Sequence, residues 1–164
     1  MSSPKSINNI RELYEGLGEC EISSLVFVGL GNRDRGDDAA GLVLLDSLRE
    51  VPCFSEAHFI SAGRTPENHL QQILDVQPEM VVFLDAARWG GQPGEPAWLD
   101  PDGIDLAGMS THAYSIRMIG QYLCAHGQME VKYLGIQPVS TGLGAGISES
   151  TSNRIRELLY TPEK

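Results

Sequence analysis

Residues 25–41 read Leu-Val-Phe-Val-Gly-Leu-Gly-Asn-Arg-Asp-Arg-Gly-Asp-Asp-Ala-Ala-Gly, and this stretch decides the fold. The apolar residues 25–30 predict a strand that is buried on both faces, as the strands of parallel sheets are. A glycine-rich turn follows, and then a helix that opens on Asp37 and Asp38. In an open parallel sheet the turn after a strand lies at the carboxyl edge, where ligand crevices form. We therefore expect the binding site of this protein at this turn.

The charge of this turn favours a cation over a phosphate. A glycine turn that leads into a helix usually binds an anion, because free N–H groups and the positive end of the helix dipole point outward together. Here Asp37 and Asp38 already bring negative charge to that position. The glycine spacing also departs from the dinucleotide-binding fingerprint, whose third glycine would fall at Asp34. A simpler alternative stays open, in which the two carboxylates only cap the helix.

The rest of the chain alternates between strand and helix patterns. Strands are predicted at residues 23–30, 54–61, 80–84 and 130–136, and helices begin near residues 37, 65, 113 and 148, with Ser148 as a cap. A further strand at residues 97–99 could form an antiparallel edge. This alternation predicts an α/β fold, a three-layer doubly wound sheet of about five mostly parallel strands flanked by helices. We assign residues 1–22 to an N-terminal helical extension and residues 23–164 to a single α/β domain.

Composition excludes several classes of partner. The 164-residue chain has 22 acidic and 12 basic residues and a net charge of −10, so a surface for nucleic acid is not expected. No apolar run approaches the roughly 20 residues that cross a bilayer, and the polar N-terminus has no signal-peptide core. We therefore expect a cytoplasmic protein that binds neither nucleic acid nor membranes. The three scattered cysteines predict reduced thiols, two of them buried.

Three polar residues fall at the boundaries of predicted elements. Asp38 follows the first strand, Asp85 ends the third, and His112 directly precedes a helix. Because the carboxyl ends of parallel strands share one edge of the sheet, these side chains can converge. Two carboxylates and an imidazole suit a borderline divalent ion such as Ni²⁺ or Zn²⁺. On spacing alone, His112 could equally be a cap or a surface residue, and Asp85 could simply end its strand.

Five short motifs occur in the order seen in one enzyme family. They are Gly-Leu-Gly-Asn-x-x-x-Gly-Asp-Asp-x-x-Gly from Gly29, Pro-Glu-Asn from Pro66, Leu-Asp-Ala from Leu84, Ser-Thr-His from Ser110 and Leu-Gly-Ile-Gln-Pro from Leu134. In these motifs the chain resembles the hydrogenase maturation endopeptidases, over residues 23–159. The resemblance implies a twisted five-stranded sheet flanked by helices, in agreement with the alternation described above.

The resemblance also implies an activity. Members of this family remove a short C-terminal extension from the precursor of a nickel-iron hydrogenase large subunit, once nickel has been inserted. The metal-contacting residues of the family match Asp38, Asp85 and His112, which are therefore the expected catalytic and metal-binding residues. The expected partner is the hydrogenase large-subunit precursor, which would carry the nickel, and Zn²⁺ or Cd²⁺ could occupy the same site. Residues 1–22 and 89–102 are less well covered by the resemblance, so substrate choice could differ there.

Two questions stay open on the sequence alone. The metal could serve recognition only, or it could also polarise the carbonyl or activate a water as a Lewis acid, or a carboxylate could act as the general base. The main alternative function is a non-catalytic maturation chaperone of the same fold that binds the metal or the precursor. A nucleotide-dependent enzyme that uses the glycine turn is disfavoured by the paired Asp residues.

Overall fold

The computed structural model describes residues 3–100 and 113–160. Within these ranges six strands form one sheet in the order β1-β5-β6-β4-β2-β3. They are β1 (Lys5–Ser6), β2 (Leu25–Leu30), β3 (His58–Gly63), β4 (Met80–Ala86), β5 (Pro96–Leu99) and β6 (Glu130–Ile136). Strands β3, β2, β4 and β6 are parallel to one another, β5 pairs antiparallel with β6, and β1 pairs antiparallel with β5.

Helices cover both faces of this sheet. In the described part of the chain they are α1 (Ile10–Gly16), α2 (Ala40–Arg49), α3 (Leu70–Val76), α4 (Ala113–His126) and α5 (Glu149–Leu159). Apolar residues of α1, α2 and α5 share one core cluster with one face of the sheet, and those of α3 and α4 share a second cluster with the other face. The three layers confirm the predicted doubly wound α/β architecture. The expected set of about five strands did not include the two-residue β1.

Strands β2 and β4 form the centre of the sheet. Every residue of both strands is buried, as the continuous apolar runs predicted. Their register pairs Leu25 with Met80 and Gly29 with Leu84. The turn after β2 and the residue Asp85 of β4 therefore reach the carboxyl edge of the sheet at neighbouring positions.

Helix α2 lies directly over the ends of these two strands. A Cβ atom added to Gly41 would stand 2.2 Å from the carbonyl oxygen of Leu84 and 2.7 Å from that of Leu30, so a glycine is required for this approach. The helix predicted to begin at Asp37 opens as a 3₁₀ turn over Gly36–Ala39 before α2 starts at Ala40. This turn packs against β4. The paired carboxylates are thereby held next to the strand that carries Asp85.

The N-terminal region is packed into the fold. Strand β1 extends the sheet by pairing Lys5 with Trp98 and Ser6 with Ala97. Leu13 of α1 and Leu17 just after it are buried in the core cluster that α2 and α5 share. The region predicted to be helical therefore contributes an edge strand as well as a helix, while the division of the chain after residue 22 stays a prediction.

Two further expectations from composition concern membranes and cysteines. In the described ranges, no helix combines the length and the apolarity that spanning a bilayer requires. The prediction that two of the three cysteines are buried is wrong, because Cys53 and Cys124 are exposed and Cys20 is half-buried. The periodicity of α4 explains one case, since Leu123 points into the core and the next residue, about 100° further round the helix, points away from it.

Candidate active site

Asp37 is fully buried at the carboxyl edge and is surrounded by hydrogen-bond donors. Its Oδ1 accepts from the backbone N–H of Ser148 at 2.7 Å. Its Oδ2 accepts from the backbone N–H of Val139 at 2.8 Å, from the hydroxyl of Ser148 at 2.8 Å and from the hydroxyl of Thr151 at 3.0 Å. The carboxylate thus ties the turn after β2 to a segment more than 100 residues later. For Asp37 the simple capping interpretation is wrong, because these oxygens face residues 139–151.

These contacts decide the charge of Asp37. Burial by itself would raise the pKa of this carboxyl, but the hydrogen bonds from Ser148, Val139 and Thr151 outweigh burial and hold the pKa below its ordinary value. The side chain therefore stays ionised inside the protein. Its role is structural, since its lone pairs are already used by the protein.

The backbone of the turn after β2 also binds to the loop that follows β6. Gly36 has φ of +54°, and a Cβ atom at this position would lie 2.6 Å from the carbonyl oxygen of Ser140. The N–H groups of Gly36 and Asp37 donate to the carbonyl oxygens of Ala145 and Ser140 at 2.9 and 2.8 Å. In return, the N–H of Gly144 donates to the carbonyl oxygen of Asp34 at 2.7 Å. The two loops consequently form one hydrogen-bonded unit.

Asp38 and Asp85 occupy the positions expected for site residues. Asp38 is half-buried in the turn that packs on β4, whereas Asp85 is fully buried near the end of β4. The hydroxyl of Tyr133 donates to Oδ2 of Asp85 at 2.9 Å, which fixes the orientation of that carboxylate. The structure thus brings both acids to the same edge, one fully buried and one half-buried.

His112 lies outside the described residues, which resume at Ala113 with helix α4. The complete set of Asp38, Asp85 and His112 therefore stays a prediction. Among residues 3–100 and 113–160, no group of three His, Cys, Asp or Glu side chains is arranged to hold a metal ion. His112, the third residue of the predicted set, is not among these residues.

Tyr133 is a site residue that the sequence motifs do not indicate. In the register of β4 and β6, Asp85 stands opposite Gly135, and Tyr133 lies two residues earlier on the same face of β6. A diagonal neighbour of this kind is within reach of a long side chain. The available signal was a hydroxyl in the buried second half of β6, but it becomes informative only once the register is known.

The fold and these contacts define a class of protein, an α/β domain with buried carboxylates at the carboxyl edge of an open sheet. Residues 44–161 match the family HycI, hydrogenase maturation protease. The hydrogenase 3 maturation protease of Escherichia coli is 33% identical over 118 residues, which cover 71% of this chain and 74% of that protein. The match to the family includes the positions of Asp85 and His112, and Asp38 precedes it.

Solved structures show the same relationship. The NiFe hydrogenase maturation protease HycI of Thermococcus kodakarensis KOD1 is similar with a TM-score of 0.77 and 31% identity, covering 89% of this chain and 92% of that chain. The endopeptidase HycI of Escherichia coli is similar with a TM-score of 0.67 and 26% identity, covering 81% of this chain and 85% of that chain. The chain belongs to the hydrogenase maturation protease family, and it is a peptidase.

Proposed function

We propose that this peptidase removes the C-terminal extension of a nickel-iron hydrogenase large-subunit precursor after nickel insertion. The observation that carries the proposal is that a buried, oriented carboxylate, Asp85, and a half-buried one, Asp38, lie at the same sheet edge. Carboxyl edges of open α/β sheets are where such domains bind their ligands. We expect the reaction to take place in the cytoplasm, with the precursor as the partner.

Asp38, Asp85 and His112 would recognise the nickel that the precursor carries. Two carboxylate oxygens and one imidazole nitrogen form a donor set suited to a borderline divalent ion, and Zn²⁺ or Cd²⁺ could occupy the same place. The hydrogen bond from Tyr133 supports this role for Asp85, because a metal-binding carboxylate is usually oriented by a neighbouring donor. In this proposal the ion belongs to the substrate, and its binding positions the scissile peptide at the sheet edge.

Asp38 is the residue we assign to proton transfer. A general base must reach the water that attacks the peptide carbonyl, and Asp38 is half-buried whereas Asp85 is fully buried. The bound ion would supply Lewis acidity to the scissile carbonyl. Asp37 takes no part in the chemistry, because its oxygens accept hydrogen bonds from residues 139, 148 and 151.

The proposal is tested by incubating nickel-loaded and nickel-free precursor with the wild type and with Asp38→Ala. Asp34→Ala is the matched control, because Asp34 is an exposed acid in the same turn whose described contacts are made by its backbone. We expect mass spectrometry to show loss of the tail only from nickel-loaded precursor, and only with the wild type and Asp34→Ala. Equal cleavage in every mixture would end the proposal, and binding of the precursor by the wild type without cleavage would favour the chaperone alternative.

A further inference from the structure

A tight turn next to the candidate active site displays an apolar side chain to solvent. The N–H of Ala145 donates to the carbonyl oxygen of Gly142, which closes a turn with Leu143 and Gly144 at its tip. The side chain of Leu143 is 73% exposed, and that of Val139, at the start of the same segment, is 49% exposed. A large apolar side chain is usually exposed to this degree singly, but here two occur within five residues.

This turn is held in place by the residues that precede Asp38. Gly144 donates to the carbonyl oxygen of Asp34, and Ala145 accepts from Gly36, at 2.7 and 2.9 Å. The buried carboxylate of Asp37 binds both ends of the segment through Val139 and Ser148. Leu143 is therefore presented from a fixed backbone, adjacent in space to the turn that carries Asp38.

Two glycines of this segment have no local need to be glycine. Gly142 and Gly146 do not have positive φ, unlike Gly144 with φ of +79°. A Cβ atom at Gly146 would meet nothing within 4 Å, and one at Gly142 would make only an ordinary contact of 3.6 Å with the hydroxyl of Ser140. Because glycine has no side chain, a ligand or another backbone can approach these positions closely.

We propose that residues 139–146 bind the extended peptide of the precursor that runs through the cleavage site, with Leu143 contacting an apolar side chain close to the scissile bond. This inference rests on the proposed function and adds a specificity element to it. The bare backbone at Gly142 and Gly146 leaves room for the peptide main chain. Leu143 and Val139 supply the apolar contact, and the Asp37 network keeps the surface rigid, so that little ordering is required on binding.

The test measures KM and kcat for the nickel-loaded precursor with Leu143→Ser, Gly146→Ala and Gly146→Val. Tyr160→Ser is the matched control, because Tyr160 is 69% exposed just after the C-terminus of α5. Because Leu143 is exposed and Gly146 has open space and an ordinary backbone, the thermal midpoints should remain those of the wild type. We expect KM to rise about tenfold for Leu143→Ser with kcat unchanged, a size typical of losing one apolar contact in a binding site.

The two Gly146 variants should form a graded pair, with Gly146→Val raising KM more than Gly146→Ala. Precursors with single apolar-to-Ser changes near the cut should be cleaved less efficiently by the wild type, and one of them should be cleaved equally by the wild type and by Leu143→Ser. A KM for Leu143→Ser equal to that of the wild type, or an equal rise for Tyr160→Ser, would overturn the inference.

A failure of this inference can be distinguished from a failure of the proposed function. If the wild type does not cleave the precursor at all, the proposed function fails, and docking is then measured as the affinity of the uncut precursor for the wild type and Leu143→Ser. Equal affinities in that experiment overturn the docking surface. A weaker affinity for Leu143→Ser supports it independently of cleavage.

Discussion

At the carboxyl edge of the sheet Asp37 and Asp85 are fully buried, whereas the glutamates that line a cavity at the amino edge are exposed. The buried polar residues in the described ranges are Asp37, Asp85 and Thr151, and all three lie at the carboxyl edge. The amino edge has a cavity of about 630 Å³ whose lining includes Glu15, Glu79 and Glu130, all of them exposed. A cavity and a concentration of charge are thus present on the side away from the candidate site.

The difference shows that the carboxylates at the carboxyl edge depend on specific hydrogen-bond donors, whereas those at the amino edge are solvated. Removing a carboxylate from water costs several kcal/mol unless partners compensate, by the usual order of magnitude. Asp37 and Asp85 are supplied with donors from β6, α5 and the loop between them. The exposed glutamates of the amino edge need no hydrogen-bond donors from the protein, because water solvates them. Solvation also explains why several of them can lie close together there.

Cys20 is one of the residues that line the cavity at the amino edge. Burial of Cys20, together with the negative charges of Glu79, Glu130 and Glu21, raises the pKa of this thiol. The thiolate is the nucleophilic form of cysteine, so a raised pKa keeps Cys20 in its inert protonated form. At neutral pH Cys20 is therefore a weaker nucleophile than an ordinary cysteine.

The largest expected effect is a difference in processing rate between a variant at the carboxyl edge and a variant at the amino edge. Asp85→Asn keeps the shape of the side chain but removes its charge, and we expect the rate of precursor processing to fall by at least about 1,000-fold, equivalent to about 4 kcal/mol in the barrier. Glu79→Gln makes the same chemical change at the amino edge and should process the precursor at the wild-type rate. Single-turnover kinetics measure both. Equal losses in the two variants would remove the functional distinction between the edges.

The second effect is a difference in the free energy of unfolding between variants of the adjacent residues Asp37 and Asp38. Asp37→Ala leaves the donors of Val139, Ser148 and Thr151 without their acceptor, and we expect the free energy of unfolding to fall by about 3 kcal/mol. Asp38→Ala, at a half-buried position, should lower it by about 1 kcal/mol or less. Urea unfolding at pH 7 measures both values. A larger loss for Asp38→Ala would contradict the structural role given to Asp37.

The third effect is the pH dependence of that same contribution. Because the folded state holds the pKa of Asp37 below the unfolded value of about 3.9, its stabilisation is complete above that value and is lost as the pH falls through the folded-state pKa. The gap in free energy of unfolding between the wild type and Asp37→Asn should therefore narrow below about pH 4. Urea titrations from neutral to acidic pH check this, and a gap that widens on acidification would show the opposite sign of the pKa shift.

The smallest effect concerns the amino edge itself. Lys132 donates from Nζ to the carbonyl oxygen of Gly16, and Nζ lies 5.3 Å from the centroid of the Trp98 ring and 3.9 Å from Glu130. Since this side chain is partly exposed, Lys132→Met should lower the free energy of unfolding by about 1 kcal/mol or less. The rate of processing should not change. A loss of processing in a variant that remains folded would assign the amino edge a role in the reaction.

The sequence predicted local elements well where periodicity and capping were strong. The strand predicted at residues 130–136 has those limits, and the helix predicted to begin near residue 148 is α5, which Ser148 caps by accepting the N–H of Thr151. The second strand was placed too early, because residues 52–54 form a 3₁₀ turn and β3 begins only at His58. An apolar Phe54 can serve either structure, so local pattern alone could not separate them.

Local sequence patterns were equally unable to predict the roles of the residues at the candidate active site. Asp37 and Asp38 are chemically identical neighbours, and no local signal says which of them is enclosed by the protein. The donors that decide the matter belong to residues 139, 148 and 151. Tyr133 and Asp85 are likewise 48 residues apart and meet only through the register of β4 and β6.

By itself the sequence determined the alternation of strands and helices, the α/β class and the edge of the sheet at which the acids gather, because these follow from short-range periodicity and the direction of parallel strands. Only the tertiary structure decided that buried Asp37 accepts hydrogen bonds from residues 139–151, that Tyr133 orients Asp85 and that Leu143 is exposed on a loop bonded to residues 34–36. The physical reason is that burial and hydrogen bonding depend on partners distant in the chain, which local sequence patterns do not encode.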